Sequence, residues 1–168
     1  MSVRQHRDHS KGLKARCAIV TLSDTRTPDT DISGHKIREL LTTDGHGVAQ
    51  YDLIPDNPDR LRALLNQLLD NPEIDAIITN GGTGVSPRDQ TIPIIEATLD
   101  VTLPGFGELF RMQSFHEIGS AAMLSRATGG IARNKLLFAL PGSPAAVELG
   151  MKQLLLPEIP HLLGQLRK

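Results

Sequence analysis

Three short runs in this chain are apolar almost without interruption: A-R-C-A-I-V-T-L from Ala15 to Leu22, A-I-I-T from Ala76 to Thr79, and K-L-L-F-A-L from Lys135 to Leu140. Runs this short and this apolar read as strands covered on both faces, the usual condition of a parallel sheet. A further run, Val48 to Ile54, alternates apolar and polar residues and reads as another strand. Helical patterns lie between them. Leu61, Leu64, Leu65, Leu68 and Leu69 fall on one face at i, i+3, i+4, i+7 and i+8, as do Ile37, Leu40 and Leu41 before them. Strands alternating with helices predict a three-layer α/β/α sandwich with a mostly parallel sheet.

Local punctuation supports this order. Asp31 or Ser33 can cap the first helix, which Gly45 and Gly47 should end. Asn57 caps the second, with Pro58 in its first position, and Asn71-Pro72 stops it. A short helix is expected around Ile94, Ile95 and Leu99, then a break at Pro104-Gly105-Phe106-Gly107 and a helix from Glu108 to Phe115. A second short helix should run from His116 or Glu117 to about Ser125, its small residues Gly119 to Ala122 allowing close helix packing. Arg126 to Arg133 reads as a short hairpin or edge strand. A helix carrying Val147, Met151, Leu154 and Leu155 follows, and Pro157 and Pro160 should start a last one bearing Leu162, Leu163 and Leu166. Residues 1–12 are polar and are expected to form a flexible tail, leaving 13–168 as one domain.

A chain of 168 residues can bury a substantial core. Its net charge of −1 gives no field to steer nucleic acid or an anionic membrane, and with no tryptophan and one tyrosine it lacks stacking platforms for bases. The lone Cys17 sits in an apolar run and fits a reducing compartment. There is neither a signal-like start nor a stretch of about 18 apolar residues. The expectation is a soluble cytoplasmic protein with no nucleic-acid or membrane partner.

The strand at Ala76 runs into T-N-G-G-T-G-V-S-P-R-D, Thr79 to Asp89. Gly81, Gly82 and Gly84 permit positive φ and close approach of a ligand, Thr83 adds a hydroxyl, and bared amides in such a loop attract anions. The loop lacks the lysine of a P-loop, and Pro87 replaces the third glycine of a dinucleotide fingerprint. A plain tight turn is the competing reading. Against it, Ser23-Asp24-Thr25, Asp56 and Pro141-Gly142-Ser143-Pro144 also end strands, and ligands of open α/β sheets bind beyond the carboxyl ends of strands. Asp56 and Asp89 are the carboxylates available for Mg²⁺, which is held through one or two carboxylates plus substrate phosphates. Arg88, Arg111 and Arg126 are candidates for phosphate oxygens. No histidine pair has metal-ligand spacing, and Ser143 lies outside a G-x-S-x-G elbow.

In order along the chain stand S-D-T (Ser23 to Thr25), P-D (Pro55-Asp56), T-N-G-G-T-G (Thr79 to Gly84), P-R-D (Pro87 to Asp89), P-G-F-G-E-L-F-R-M-Q-S (Pro104 to Ser114), M-L-S-R-A (Met123 to Ala127) and L-P-G-S-P-A-A-V (Leu140 to Val147). Together they resemble the MogA/MoaB family of molybdenum-cofactor biosynthesis proteins, related to the G domains of plant Cnx and gephyrin. The S-G-H at Ser33 and the stretch after Phe106 are closer to the MoaB branch. The resemblance implies Mg-ATP-dependent adenylylation of molybdopterin with release of pyrophosphate. It places Asp56 and Asp89 in catalysis and Mg²⁺ binding, and Gly81, Gly82, Thr83, Gly84, Ser114 and Ser125 on molybdopterin. Ser23, Asp24, Gly142 and Ser143 fall on the adenylate side. It also implies a homotrimer or hexamer and contact with other proteins of the pathway. The family often continues R-D-x-T-P-E, whereas Pro93 stands here in place of the glutamate. Some MoaB-branch members lack the activity and carry an altered P-R-D; here P-R-D is intact, which favours an enzyme over a non-catalytic carrier or scaffold.

Overall fold

The computed structural model describes Ser10 and residues 12–168. Most of the expected tail, with His6 and His9, lies outside the described residues; Ser10 itself is buried against Gly164. Six strands form one sheet in the order β2-β1-β3-β6-β5-β4: β1 Arg16–Leu22, β2 Gly47–Ile54, β3 Ala76–Asn80, β4 Val101–Thr102, β5 Thr128–Ala132 and β6 Lys135–Leu140. The pairings β1·β2, β1·β3 and β3·β6 are parallel, and β5 runs antiparallel to both β6 and β4. The expected fold class is therefore met.

Alternation along β1 shows why the sheet needs two covers. Cys17 and Ile19 face one core with α1 (Ile32–Thr43), α4 (Pro104–Ile118), α5 (Pro144–Gly150) and α6 (Leu156–Leu166). Ala18, Val20 and Leu22 face the other, with α2 (Pro58–Asp70) and α3 (Thr91–Thr98). Leu61, Leu65, Leu68 and Leu69 of α2 are all at most 3% exposed, so the predicted stripe is core. Asn57 accepts hydrogen bonds from the Asp59 and Arg60 N–H groups, both at 3.0 Å, and Pro58 follows at the start of α2 as expected. Asp31, rather than Ser33, caps α1.

Several boundaries differ from expectation. Gly47 opens β2 instead of ending α1; the left-handed residue after that helix is Gly45, at φ +83°. The expected break at Pro104 to Gly107 is the first turn of α4, because proline is well placed where an N–H would be unpaired anyway. Residues Gly119–Leu124 form a 3-10 turn with Ser120 and Ala121 exposed, not a closely packed helix. Residues 126–133 contribute β5, an inner strand, while the two-residue β4 forms the edge. A hairpin joins β5 to β6 through Arg133 and Asn134, at φ +46° and +61°, the left-handed pair that a two-residue turn demands. Pro160 lies inside α6 rather than starting it, and a π-helical segment, Met151–Leu155, joins α5 to α6. Pro93 falls in the first turn of α3, where it is tolerated.

Leu155 and Leu163 near the end of the chain are buried in its own core. Exposed apolar side chains gather instead on α4 and the 3-10 turn: Leu109, Met112, Phe115, Ile118, Met123 and Leu124. Among the described residues no helix is long and apolar enough to cross a membrane.

Candidate functional site at the strand ends

The chain leaves β1 to one side to form β2, then returns past β1 to form β3. Strand order reverses at β1 and β3, and the crevice beyond their carboxyl ends is where open α/β sheets place ligands. The loops after β1, β2, β3 and β6 all open there.

Local hydrogen bonding shapes each loop. After β1 the Ser23 hydroxyl accepts the Thr25 and Arg26 N–H groups at 3.3 and 3.1 Å, folding the chain into a tight turn. The turn presents Asp24, whose Oδ1 accepts the Asp56 N–H at 3.0 Å and so ties the β1 loop to the end of β2. After β3, Gly81 and Gly82 adopt φ +96° and +61°, which L side chains rarely take. The Gly81 N–H donates to the Leu140 carbonyl at 3.2 Å, so that amide serves the sheet and is not bared as expected. Thr83 within the turn is buried. Farther on, the Asp89 carboxylate accepts the Ser86 N–H at 3.0 Å and the Asp89 N–H donates to the Ser86 carbonyl at 2.9 Å, closing a turn at 86–89. The helix that follows is capped by Gln90 without a side-chain hydrogen bond, so Asp89 does not cap it. Asp56 is free of capping too, since Asn57 does that work.

Asp56 and Asp89 converge on the glycine turn. A Cβ on Gly82 would come within 2.8 Å of Asp56 Oδ1 and overlap the Thr91 hydroxyl; one on Gly84 would lie 2.6 Å from Asp89 Oδ2. Arg88 forms an exposed ion pair with Asp24. Burial pushes the Asp56 carboxyl above the usual range, the charges of Asp89 and Asp24 push it further, and Arg88 opposes them. Three carboxylates thus crowd one guanidinium. Arg126 donates to the Gly84 carbonyl at 2.7 Å, tying the segment that also carries Ser125 to the turn. Gly142 packs tightly onto Gly81: a Cβ there would be 3.1 Å from Gly81 Cα. Ser143 caps α5, its hydroxyl accepting the Ala146 N–H at 3.2 Å.

Two predicted residues stand apart. Ser114 is buried on α4, and among the described residues no hydrogen bond joins it to the loops. Arg111 folds back along α4 toward Gly107. Two grooves of about 440 Å³ lie away from the strand ends, one between α4 and α6 and one beside Met112, Phe115 and Met123.

No group of three or more histidine, cysteine, aspartate or glutamate side chains among the described residues forms a preformed metal cage. Mg²⁺ does not require one, since it keeps several waters and takes its remaining oxygens from phosphates. Asp56 and Asp89, converging on the glycine turn, and the unpartnered buried Thr91 hydroxyl fit a phosphate-bound Mg²⁺.

An open α/β sheet with carboxylates, a guanidinium and a glycine turn at its switch point defines a ligand-binding domain of the doubly wound type. The family described as "probable molybdopterin binding domain" matches residues 18–161. Molybdenum cofactor biosynthesis protein B of Halalkalibacterium halodurans is 46% identical over 169 residues, covering 100% of this chain and 99% of the relative. A crystal structure of a molybdenum cofactor biosynthesis protein B, also 46% identical, superposes with a TM-score of 0.90 over 92% of this chain and 97% of that one. The tungsten cofactor synthesizing protein MoaB of Pyrococcus furiosus, 33% identical, does so with 0.83 over 92% and 98%. The chain belongs to the MogA/MoaB family of molybdenum-cofactor biosynthesis proteins.

Proposed function

We propose that this protein acts in molybdenum-cofactor biosynthesis by adenylylating molybdopterin with ATP. The observation that carries the reading is the convergence of Asp56 and Asp89 on the glycine turn beside Arg88, with Asp24 and Gly142 on the flanking loops. The relatives' names place those proteins in the same pathway.

An oxygen of the molybdopterin phosphate attacks the α-phosphorus of ATP. The bond from that phosphorus to the bridging α–β oxygen breaks, and pyrophosphate leaves. Such transfers depend mainly on positioning and charge neutralisation, which a fixed scaffold supplies without covalent chemistry. Glycine at 82 and 84 lets Asp56, Thr91 and Asp89 lie directly against the turn, where a side chain would displace them. Arg88 holds an exposed pair with Asp24, a contact typically worth no more than about 1 kcal/mol, so its guanidinium can transfer to phosphate oxygens at small cost. The resemblance assigns Thr83, Ser114 and Ser125 to the pterin side, although Ser114 is buried on α4 apart from the loops, and Ser23, Asp24, Gly142 and Ser143 to the adenylate side. Asp56 and Asp89 would hold Mg²⁺, which supplies neutralisation of phosphate charge when bound. The use of ATP fits the cytoplasm, and the exposed apolar face of α4 fits burial in a trimer or hexamer.

Purified protein mixed with molybdopterin, Mg²⁺ and ATP should yield adenylylated pterin and one pyrophosphate per product, read by chromatography and mass spectrometry. Pterin binding with no product would leave a carrier instead of an enzyme.

A further inference from the structure

A buried polar network runs beneath the glycine turn and is used by none of the roles above. It starts at Asn80, the last residue of β3, whose side-chain amide donates to the Thr21 hydroxyl at 2.9 Å. Thr21 hydrogen-bonds to the Asp31 carboxylate, which is fully buried. That carboxylate also accepts the Gly34 N–H at 3.0 Å, the Tyr51 hydroxyl at 2.7 Å and an Arg26 N–H at 3.2 Å. The other arm of Arg26 donates to the Gly142 carbonyl at 2.8 Å, and the Ser33 hydroxyl donates to the same carbonyl at 2.7 Å. The network therefore links the ends of β3 and β1 to the loop after β6. It also accounts for glycine at position 34, where a Cβ would overlap Asp31 and lie 2.8 Å from both the Thr21 hydroxyl and the Tyr51 ring.

Capping α1 does not require this much. An asparagine or serine accepts the Gly34 N–H as well as an aspartate does, with no buried charge. A buried ion pair is also weak as a source of net stability, because desolvation offsets its attraction. What the charge achieves is the orientation of Arg26. A guanidinium held by a carboxylate on one arm presents its other N–H groups in a fixed fork. Here that fork ends on Gly142, which packs directly onto Gly81. A shift of the Gly142 carbonyl is therefore transmitted to the glycine turn.

We propose that Arg26 and Ser33, with Asp31 orienting Arg26, are positioning residues that hold the Gly142–Ser143 loop in the conformation that receives the nucleotide. The assignment rests on the adenylyl-transfer reading for the identity of its ligand.

The test uses Ser33→Ala and the paired substitution Asp31→Asn with Arg26→Gln, which removes both charges together and keeps a cap on α1. The full chain is examined by urea denaturation, by amide order parameters, and by calorimetric titration with ATP and with molybdopterin separately. The expected result is an unfolding midpoint near that of wild type. Order parameters at Gly142 and Ser143 should fall from about 0.85 toward 0.6, with little change elsewhere. The Kd for ATP should rise at least tenfold while that for molybdopterin stays within twofold. Unchanged order parameters and ATP affinity in both variants would overturn the proposal. So would loss of both affinities in step with global stability, because that marks general structural support. If wild type binds no ATP, the proposed reaction and the ligand assigned to this loop both fail; rigid Gly142 and Ser143 in the variants would then remove the clamp as well.

Discussion

Gly82→Ala tests the packing of the site most severely. Gly82 sits at φ +61°, where an L-residue costs about 1–2 kcal/mol. Its new methyl would overlap the Thr91 hydroxyl and approach Asp56 Oδ1 to 2.8 Å. Thr91 is buried but its hydroxyl has no hydrogen-bond partner, so rotation sacrifices packing only. Overpacking of that kind adds about 1–3 kcal/mol, and the two contributions together predict a loss of about 2–5 kcal/mol. Asp56 is half-buried and must move outward. A displacement on the order of 1 Å in a reacting assembly can cost about 10²-fold in rate. Gly84→Ala is the matched control. Gly84 is not among the positive-φ glycines, and the nearest group to its methyl would be the Asp89 carboxylate, at 2.6 Å. It should lose under about 1 kcal/mol, in the range of ordinary surface-type changes, yet lose activity to a similar degree. Urea denaturation and single-turnover adenylylation measure the two effects. Wild-type stability and rate in Gly82→Ala would refute the argument, as would full activity in Gly84→Ala.

Three further outcomes follow from the same geometry. A carboxyl whose folded pKa is raised costs stability when ionised, and that cost disappears as pH falls below its unfolded value near about 3.9. Asp56→Asn should therefore be more stable than wild type near neutral pH, with the gain shrinking as pH falls through the raised pKa of Asp56; equal urea midpoints at neutral pH would contradict this. Asn57→Ala should lose about 1 kcal/mol through its two broken capping bonds while turnover stays at the wild-type level. Light scattering should report a trimer or a dimer of trimers, and Phe115→Glu on the exposed face of α4 should dissociate it; a micromolar monomer would count against that assignment.

Features set by neighbouring residues were legible in the sequence. The α2 stripe, its Asn57-Pro58 start and the buried runs of β1, β3 and β6 depend on spacing and local hydrogen bonds, and the structure reproduces them. Proline misled in two ways, starting α4 where a break was expected and lying inside α6 where a start was expected. Arg126 to Arg133, with Gly129 and Gly130, read as a short hairpin or edge strand. The two glycines lie in an inner strand because Phe138 and the Val101 backbone press so close that a side chain would collide. The two-residue β4 carries too little pattern to be seen at all. At the site, the strand ends themselves pointed to Asp56, Asp89 and the glycine turn, and the resemblance supplied their roles. The Arg26–Asp31 network was not legible, because Asn80 reaches Thr21 across 59 residues and Arg26 reaches Gly142 across 116. The only local signal was Asp31 preceding Ser33-Gly34, which served equally well as an ordinary cap.

The central claim is that the charge on Asp89 serves the reaction, and Asp89→Asn tests it most directly. Asparagine can still accept the Ser86 N–H through its side-chain oxygen, so the 86–89 turn should persist, and with one charge fewer beside Asp56 the unfolding midpoint should not fall. The account predicts that single-turnover adenylyl transfer falls by about 10²-fold or more, as loss of one preorganised electrostatic stabiliser does elsewhere, while molybdopterin affinity stays at the wild-type value. A wild-type transfer rate in a correctly folded Asp89→Asn protein would remove Asp89 from the mechanism and contradict the account.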